Sequence, residues 1–277
     1  MKQLYKYLRR FIDRINDDRL GLYAAQASFF IVFSVTPFIM LLITLAKYIL
    51  PVELDTILTE IYNYVPQSLA MVLTNIVMDA FESSPALISV SAVSVLWLAS
   101  KGIGALFLGL NNIFKPDKSF GYIYTKVISV LYTMLFIVVL VLTVATLGFG
   151  QLVFEKISHI PVISPLVGQI NGLLAFRHVW IMLILTLTFA SFYKFLPRNK
   201  SFVKQLPGAL FAAAGWTVFS HIYSIYIESF SQYSYVYGSL AAIIFLMLWL
   251  YICMNILLYG AEINKLREEK FFKQGLV

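Results

Sequence analysis

The fold this sequence predicts is an all-α, polytopic membrane helix bundle with six transmembrane helices, an amphipathic N-terminal interfacial helix and an amphipathic helical outer loop. Three observations predict it. Of 277 residues, 60% are hydrophobic and only 13% are charged, which leaves too few charges to cover a water-soluble globule. The apolar residues fall in continuous runs without the alternation of a barrel strand. Several of those runs reach the roughly 20 residues that a helix needs to cross about 30 Å of hydrocarbon. The whole chain, residues 1–277, reads as one integral membrane domain.

Residues 1–19 come first. Leu4, Tyr5, Leu8, Phe11, Ile12 and Ile15 recur at helical spacing, with Lys2, Lys6, Arg9 and Arg10 elsewhere on the wheel; this predicts a helix lying on an anionic cytoplasmic leaflet. The charged start lacks the pattern of a cleavable signal peptide. The expected spans are residues 22–50, 86–113, 127–150, 177–196, 207–229 and 238–261. The fourth is the shortest, and the cations at its ends, Arg177 and Lys194, can reach the interfaces. Residues 51–85 form an outer loop of two amphipathic helices: Leu54, Ile57, Leu58 and Ile61 make one stripe, and Leu69, Val72, Leu73 and Ile76 the other. Residues 157–176 are uncharged too. They are read as an external loop with a short interfacial turn, because Pro161, Pro165, Gly168 and Gly172 interrupt them.

Charge orients the bundle. Lys2, Lys6, Arg9, Arg10, Arg14 and Arg19 precede the first span; Lys115, Lys118 and Lys126 lie between the second and third. Lys194, Arg198, Lys200 and Lys204 lie between the fourth and fifth, and Lys265, Arg267, Lys270 and Lys273 follow the sixth. The opposite side holds only Lys47, Lys156 and Arg177. The positive-inside bias therefore predicts both termini in the cytoplasm, with residues 262–277 as a cytoplasmic tail. Topology already explains these cations, so the net charge of +7 is no argument for a nucleic-acid partner.

Reactive chemistry is sparse. A single cysteine, Cys253, excludes an intrachain disulfide and a thiolate cluster. His159, His178 and His221 belong to no paired-histidine metal motif, and Gly102-Ile103-Gly104 lacks the spacing of a phosphate-binding loop. No enzyme activity, no metal and no cofactor are expected.

The informative residues are the polar ones inside spans, because each is costly in lipid and tends to face a partner or a wet cavity. Thr217, His221, Ser224 and Glu228 share one face of the fifth span. Ser94, Lys101 and Asn112 lie on a stripe of the second, and Tyr251, Asn255 and Glu262 on the sixth. The first contributes Gln26, Ser34 and the helix-kinking Pro37. Spans one, two, five and six are thus expected to line a shared polar interior. Lys101, toward the cytoplasmic half of its span, is its electrostatic anchor; His221, Asn255 and Gln26 are the hydrogen-bonding partners. Gly102, Ala105 and Gly109, and likewise Gly208, Ala212 and Gly215, have spacing that permits close helix contact. A weak internal echo relates Val32-Phe33-Ser34 to Val218-Phe219-Ser220 and Leu96-Trp97-Leu98 to Leu248-Trp249-Leu250.

Five stretches carry a family resemblance. They are Ala24-Ala25-Gln26-Ala27-Ser28 through Thr36-Pro37; Ser100-Lys101-Gly102 to Asn111-Asn112-Ile113; and above all Pro207-Gly208-Ala209 to Gly215-Trp216, with Tyr235-Val236-Tyr237-Gly238-Ser239 and Tyr259-Gly260-Ala261-Glu262-Ile263-Asn264. Together they resemble the YihY/virulence factor BrkB family of bacterial inner-membrane proteins, over nearly the whole chain. The resemblance implies a six-span helical protein of the bacterial plasma membrane. Members have also carried the label ribonuclease BN, which these histidines and carboxylates do not support. The motif marks Pro207, Gly208, Trp216, Tyr237, Gly238, Gly260, Glu262 and Asn264 without assigning them roles.

The functional expectation is a secondary transporter or lipid-handling permease with a polar intramembrane cavity. Its partners are membrane lipids, with an anionic lipid or small molecule as substrate. The alternative is a non-transporting membrane scaffold or envelope-integrity factor, in which the same polar groups hold helices together.

Overall fold

The structure is a computed structural model that describes residues 2–49, 54–64, 67–82, 85–115, 121, 123–134, 177–197, 201–229 and 234–269. Among these residues the regular structure is entirely helical. The helices are α1 (Lys2–Asp17), α2 (Leu20–Ile49), α3 (Leu54–Tyr64), α4 (Gln67–Glu82), α5 (Pro85–Phe114), α6 (Ile123–Met134), α7 (Arg177–Phe195), α8 (Leu206–Ser229) and α9 (Ser234–Glu268). A 3-10 turn at Val203–Gln205 leads into α8.

Four stretches are long and apolar enough to cross a membrane: Leu20–Thr44, Ser89–Phe114, Val203–Ile227 and Ile243–Glu268. Two shorter apolar stretches, Ile123–Met134 and Met182–Phe195, fall where the third and fourth spans are expected. Beyond Met134 the expected third span lies outside the described residues, as does all of 157–176. The last helix differs from the sequence expectation. It runs past 261 to Glu268, so the helix continues through Glu262 beyond the expected end of the sixth span.

Two junctions organise the end of the bundle where α1, the end of α5, the start of α8 and the end of α9 meet. Arg19 breaks α1 from α2 by adopting φ 51°, and Lys115 ends α5 with φ 45°. Neither is glycine, so each left-handed residue costs roughly 1–2 kcal/mol. Asp18 bridges them: its carboxylate lies 3.3 Å from Lys115 Nζ, and its carbonyl accepts from Asn112 Nδ2 at 2.8 Å.

Small residues decide the packing. α2 and α5 run antiparallel and in close contact: Gly102, lacking a Cβ, admits Ile31 and the Ala27 carbonyl, while Gly109 admits Tyr23 and Leu258 of α9. α8 and α9 cross where Gly208 and Gly260 bring their backbones together; a Cβ on either would meet the other's carbonyl. α7 joins α8 through the Phe189 and Trp216 rings, whose centroids are 5.5 Å apart, and Trp216 meets Trp249 of α9 edge to face at 5.8 Å. The resulting core is apolar, with Leu20, Leu106, Leu110, Ala212 and Leu257 buried in one cluster. At the far end α3 and α4 fold back on α2. Leu54, Ile57, Leu58, Ile61 and Phe81 pack with Ile39, Met40 and Ile43 around Val77 and Ala80.

Candidate functional site

Lys101 lies near the midpoint of the apolar stretch Ser89–Phe114. Its ammonium sits 3.9 Å from the Trp97 ring centroid and 5.2 Å from that of Phe30 on α2. Residue 97 is one turn before residue 101, so helix geometry stacks the cation on the indole. Among the described residues no carboxylate pairs with Lys101; the ion pairs there are Arg14–Glu262, Arg14–Glu269, Lys115–Asp18 and Lys265–Glu269. The surrounding face is apolar and open: Trp97 is 54% exposed, and Val93, Phe29 and Phe33 are exposed beside it. Phe29 contacts both Phe30 and Phe33, extending the aromatic surface along α2.

Among the described residues, none of the others expected at the site hydrogen-bonds to Lys101. Gln26, Thr217 and His221 lie on exposed helix faces. Ser34 and Thr217 donate to carbonyls of their own helices, Ile31 at 2.7 Å and Ala213 at 2.9 Å. Asn255 is buried and donates to the Tyr251 carbonyl at 2.8 Å. Backbone in the same helix thus absorbs much of this polarity. The side chain of Glu228 lies outside the described residues.

Asn112 and Glu262 belong instead to a polar cluster where the helices end. Glu262 is 0% exposed and accepts from Arg14 Nη1 at 3.1 Å; the same guanidinium reaches Glu269 at 2.6 Å. Burial opposes the Arg14 charge, but the hydrogen bonds to Glu269 and Glu262 outweigh it and push its pKa above the ordinary value. Phe11 packs on Tyr259 with centroids 6.0 Å apart, fixing α1 against α9. Asn264, on the other side of α9, accepts from the Gly208 amide at 2.8 Å and donates to the Gln205 carbonyl at 2.9 Å. It therefore caps the first turn of α8 from a different helix, satisfying an amide that α8 cannot. Tyr193 completes the crossing by donating to the Leu257 carbonyl at 2.6 Å.

Sequence reasoning missed Arg14, Asp18 and Gln205 as members of this cluster, and assigned Lys126 to a cytoplasmic loop. Lys126 in fact reaches Ser100 at 3.0 Å, beside Lys101. The signals that could have found them were short polar interruptions in apolar helices: Asn111-Asn112 and Glu262 with Asn264 toward helix ends, and the Ser100-Lys101 doublet in the middle of α5.

Residues 11–275 match the family described as Virulence factor BrkB, an extent that takes in both the Lys101 face and the glycine crossing. The chain belongs to that family. Relatives of this BrkB-family chain include the ribonuclease-like protein YfkH of Bacillus subtilis (strain 168), 28% identical over 249 residues, or 89% of this chain and 90% of that one. The UPF0761 membrane protein VV0203 of Vibrio vulnificus (strain YJ016) is 27% identical over 267 residues, covering 93% and 81%. The UPF0761 membrane protein PBPRA3489 of Photobacterium profundum is 28% identical over 273 residues, covering 95% and 81%. No solved structure matches. The chain is accordingly a membrane protein of the BrkB/UPF0761 family. Among the described residues, no three or more His, Cys, Asp or Glu side chains group to hold a metal ion.

Proposed function

We propose that this BrkB-family protein is a lipid-handling permease of the bacterial plasma membrane. It crosses the bilayer six times with both termini in the cytoplasm, performs no covalent chemistry, and engages an anionic headgroup through Lys101. The observation that carries the reading is Lys101 itself: a cation at mid-span, set on aromatic rings and unpaired with any described carboxylate. A lysine at bilayer depth costs about 2.5–3.5 kcal/mol on insertion scales. Cation–π contact returns about 0.5–2 kcal/mol. The remaining cost is what an anion arriving from the lipid side offsets, and the exposed aromatic face gives such a molecule a lateral route.

The own-helix hydrogen bonds of Ser34, Thr217 and Asn255 favour a second reading, the non-transporting scaffold. Transfer of a fluorescent anionic lipid between the leaflets of reconstituted vesicles discriminates the two. Wild-type protein is expected to accelerate transfer, and Lys101→Met to abolish it while keeping the wild-type elution profile. Unchanged transfer in the variant removes Lys101 from the mechanism, whereas a wild-type protein that moves no lipid favours the scaffold.

A further inference from the structure

The Lys101 face holds a second cation. Lys126 of α6 donates to the Ser100 hydroxyl at 3.0 Å, and Ser100 donates to the Trp97 carbonyl at 2.9 Å. Trp97 is also the ring beneath Lys101 Nζ. Two ammonium groups are therefore anchored on consecutive residues of α5, Ser100 and Lys101, and Trp97 is tied to both. Consecutive helical residues diverge by about 100°, and a residue three or four positions earlier projects between them. The two cations thus stand on adjoining faces of α5, Lys101 over the Trp97 indole toward α2 and Lys126 at Ser100 toward α6.

Neither lysine forms an ion pair among the described residues. One turn along α6 from Lys126, the Ser129 hydroxyl is buried beside Gly104, and among the described residues it has no hydrogen-bond partner. Ring contacts support Lys101 and the Ser100 hydroxyl supports Lys126, but among the described residues neither charge has a counter-charge and the Ser129 hydroxyl has no partner. What satisfies both ammonium groups is a compact anion with several oxygens.

We propose that Lys101 and Lys126 form a two-point site for the phosphate of a lipid headgroup. The assignment rests on the lipid-handling reading above and supplies its substrate class. Lysine binds phosphate as a point charge, and a phosphate monoester carries about −1.5 to −2 near neutral pH, which suits two lysines better than a single-charge carboxylate does. Free phosphate shares that chemistry. The exposed Trp97 ring at Lys101, and the exposed Phe29 and Phe33 that continue from Phe30 along α2, favour a phosphate that arrives on an acyl chain.

The test uses the full chain in phosphatidylcholine nanodiscs doped with phosphatidic acid or with oleate, with bound lipid counted by native mass spectrometry. Wild-type protein is expected to retain phosphatidic acid over oleate, and Lys101→Gln and Lys126→Gln each to lower that retention about tenfold. Lys126→Arg, which keeps the charge, is expected to hold the lipid and to control for misfolding, together with the thermal unfolding profile. Wild-type retention in a folded Lys126→Gln protein overturns the two-point site while leaving Lys101 and the permease reading intact. Displacement of phosphatidic acid by millimolar inorganic phosphate overturns the lipid assignment in favour of a soluble ligand. Loss of phosphatidic acid from both glutamine variants, alongside a wild-type protein that transfers no lipid, upholds the phosphate site and rejects the permease.

Discussion

Replacing Arg14 with Met leaves the carboxylate of Glu262, at 0% exposed, without its counter-charge. Breaking a fully buried pair costs about 3–5 kcal/mol; since Arg14 is itself 36% exposed, about 2–3 kcal/mol is expected here. Glu269→Gln removes only the outer partner and should cost under about 1 kcal/mol. Thermal unfolding in detergent checks both values, and Arg14→Met combined with Glu262→Gln should recover most of the loss. Recovery failing in the double variant would mean that Arg14 acts through packing instead of charge. The residue-level polarity was legible in the sequence, since Glu262 and Lys101 stand out in apolar runs. Their partners were not. Arg14 and Glu262 are 248 positions apart, and such a pair leaves no local periodicity to read. Lys126 was assigned to a loop because its stem is long enough to carry a flanking charge back to Ser100, which helix boundaries alone do not reveal.

At the scale of helices, the α8/α9 crossing depends on two missing side chains. A Cβ at Gly208 would meet the Gly260 carbonyl and, at 2.6 Å, the Asn264 amide; one at Gly260 would meet the Gly208 carbonyl and, at 2.6 Å, the Tyr193 hydroxyl. Backbone atoms cannot yield as a flexible side chain does. Gly208→Ala and Gly260→Ala are therefore each expected to cost about 1–3 kcal/mol, at the upper end of that range, in the same unfolding measurement. Gly104→Ala is the control. Its nearest neighbour is the Ser129 hydroxyl at an ordinary 3.5 Å, and its stability should be unchanged or slightly improved by helix propensity. The helices themselves were readable because continuous apolar runs and small-residue spacing are properties of one segment. Which segment a glycine faces depends on the three-dimensional crossing, and Gly109 shows it by meeting both Tyr23 and Leu258. The burial of Glu262 was illegible for a related reason: it depends on the packing of α9 against α1, which no single segment reveals.

For the whole molecule, the all-helical membrane class was legible in composition, whereas the shared polar interior was an inference from wheel positions on separate helices. The rotation of each helix about its own axis is set by packing, and that is where Gln26, Thr217 and His221 turned to exposed faces. The proposed six-crossing arrangement makes its own prediction. In a Cys253→Ala background, Tyr5→Cys and Arg267→Cys should react with an impermeant thiol reagent from the same side of the membrane, and Tyr62→Cys from the other. Labelling of the first two from opposite sides would require an odd number of crossings. The Arg14–Glu262 contact has a temporal consequence as well. Because the two residues are 248 positions apart, the clasp can close only after Glu262 has been synthesised, and a chain cut short between them leaves Arg14 without that carboxylate.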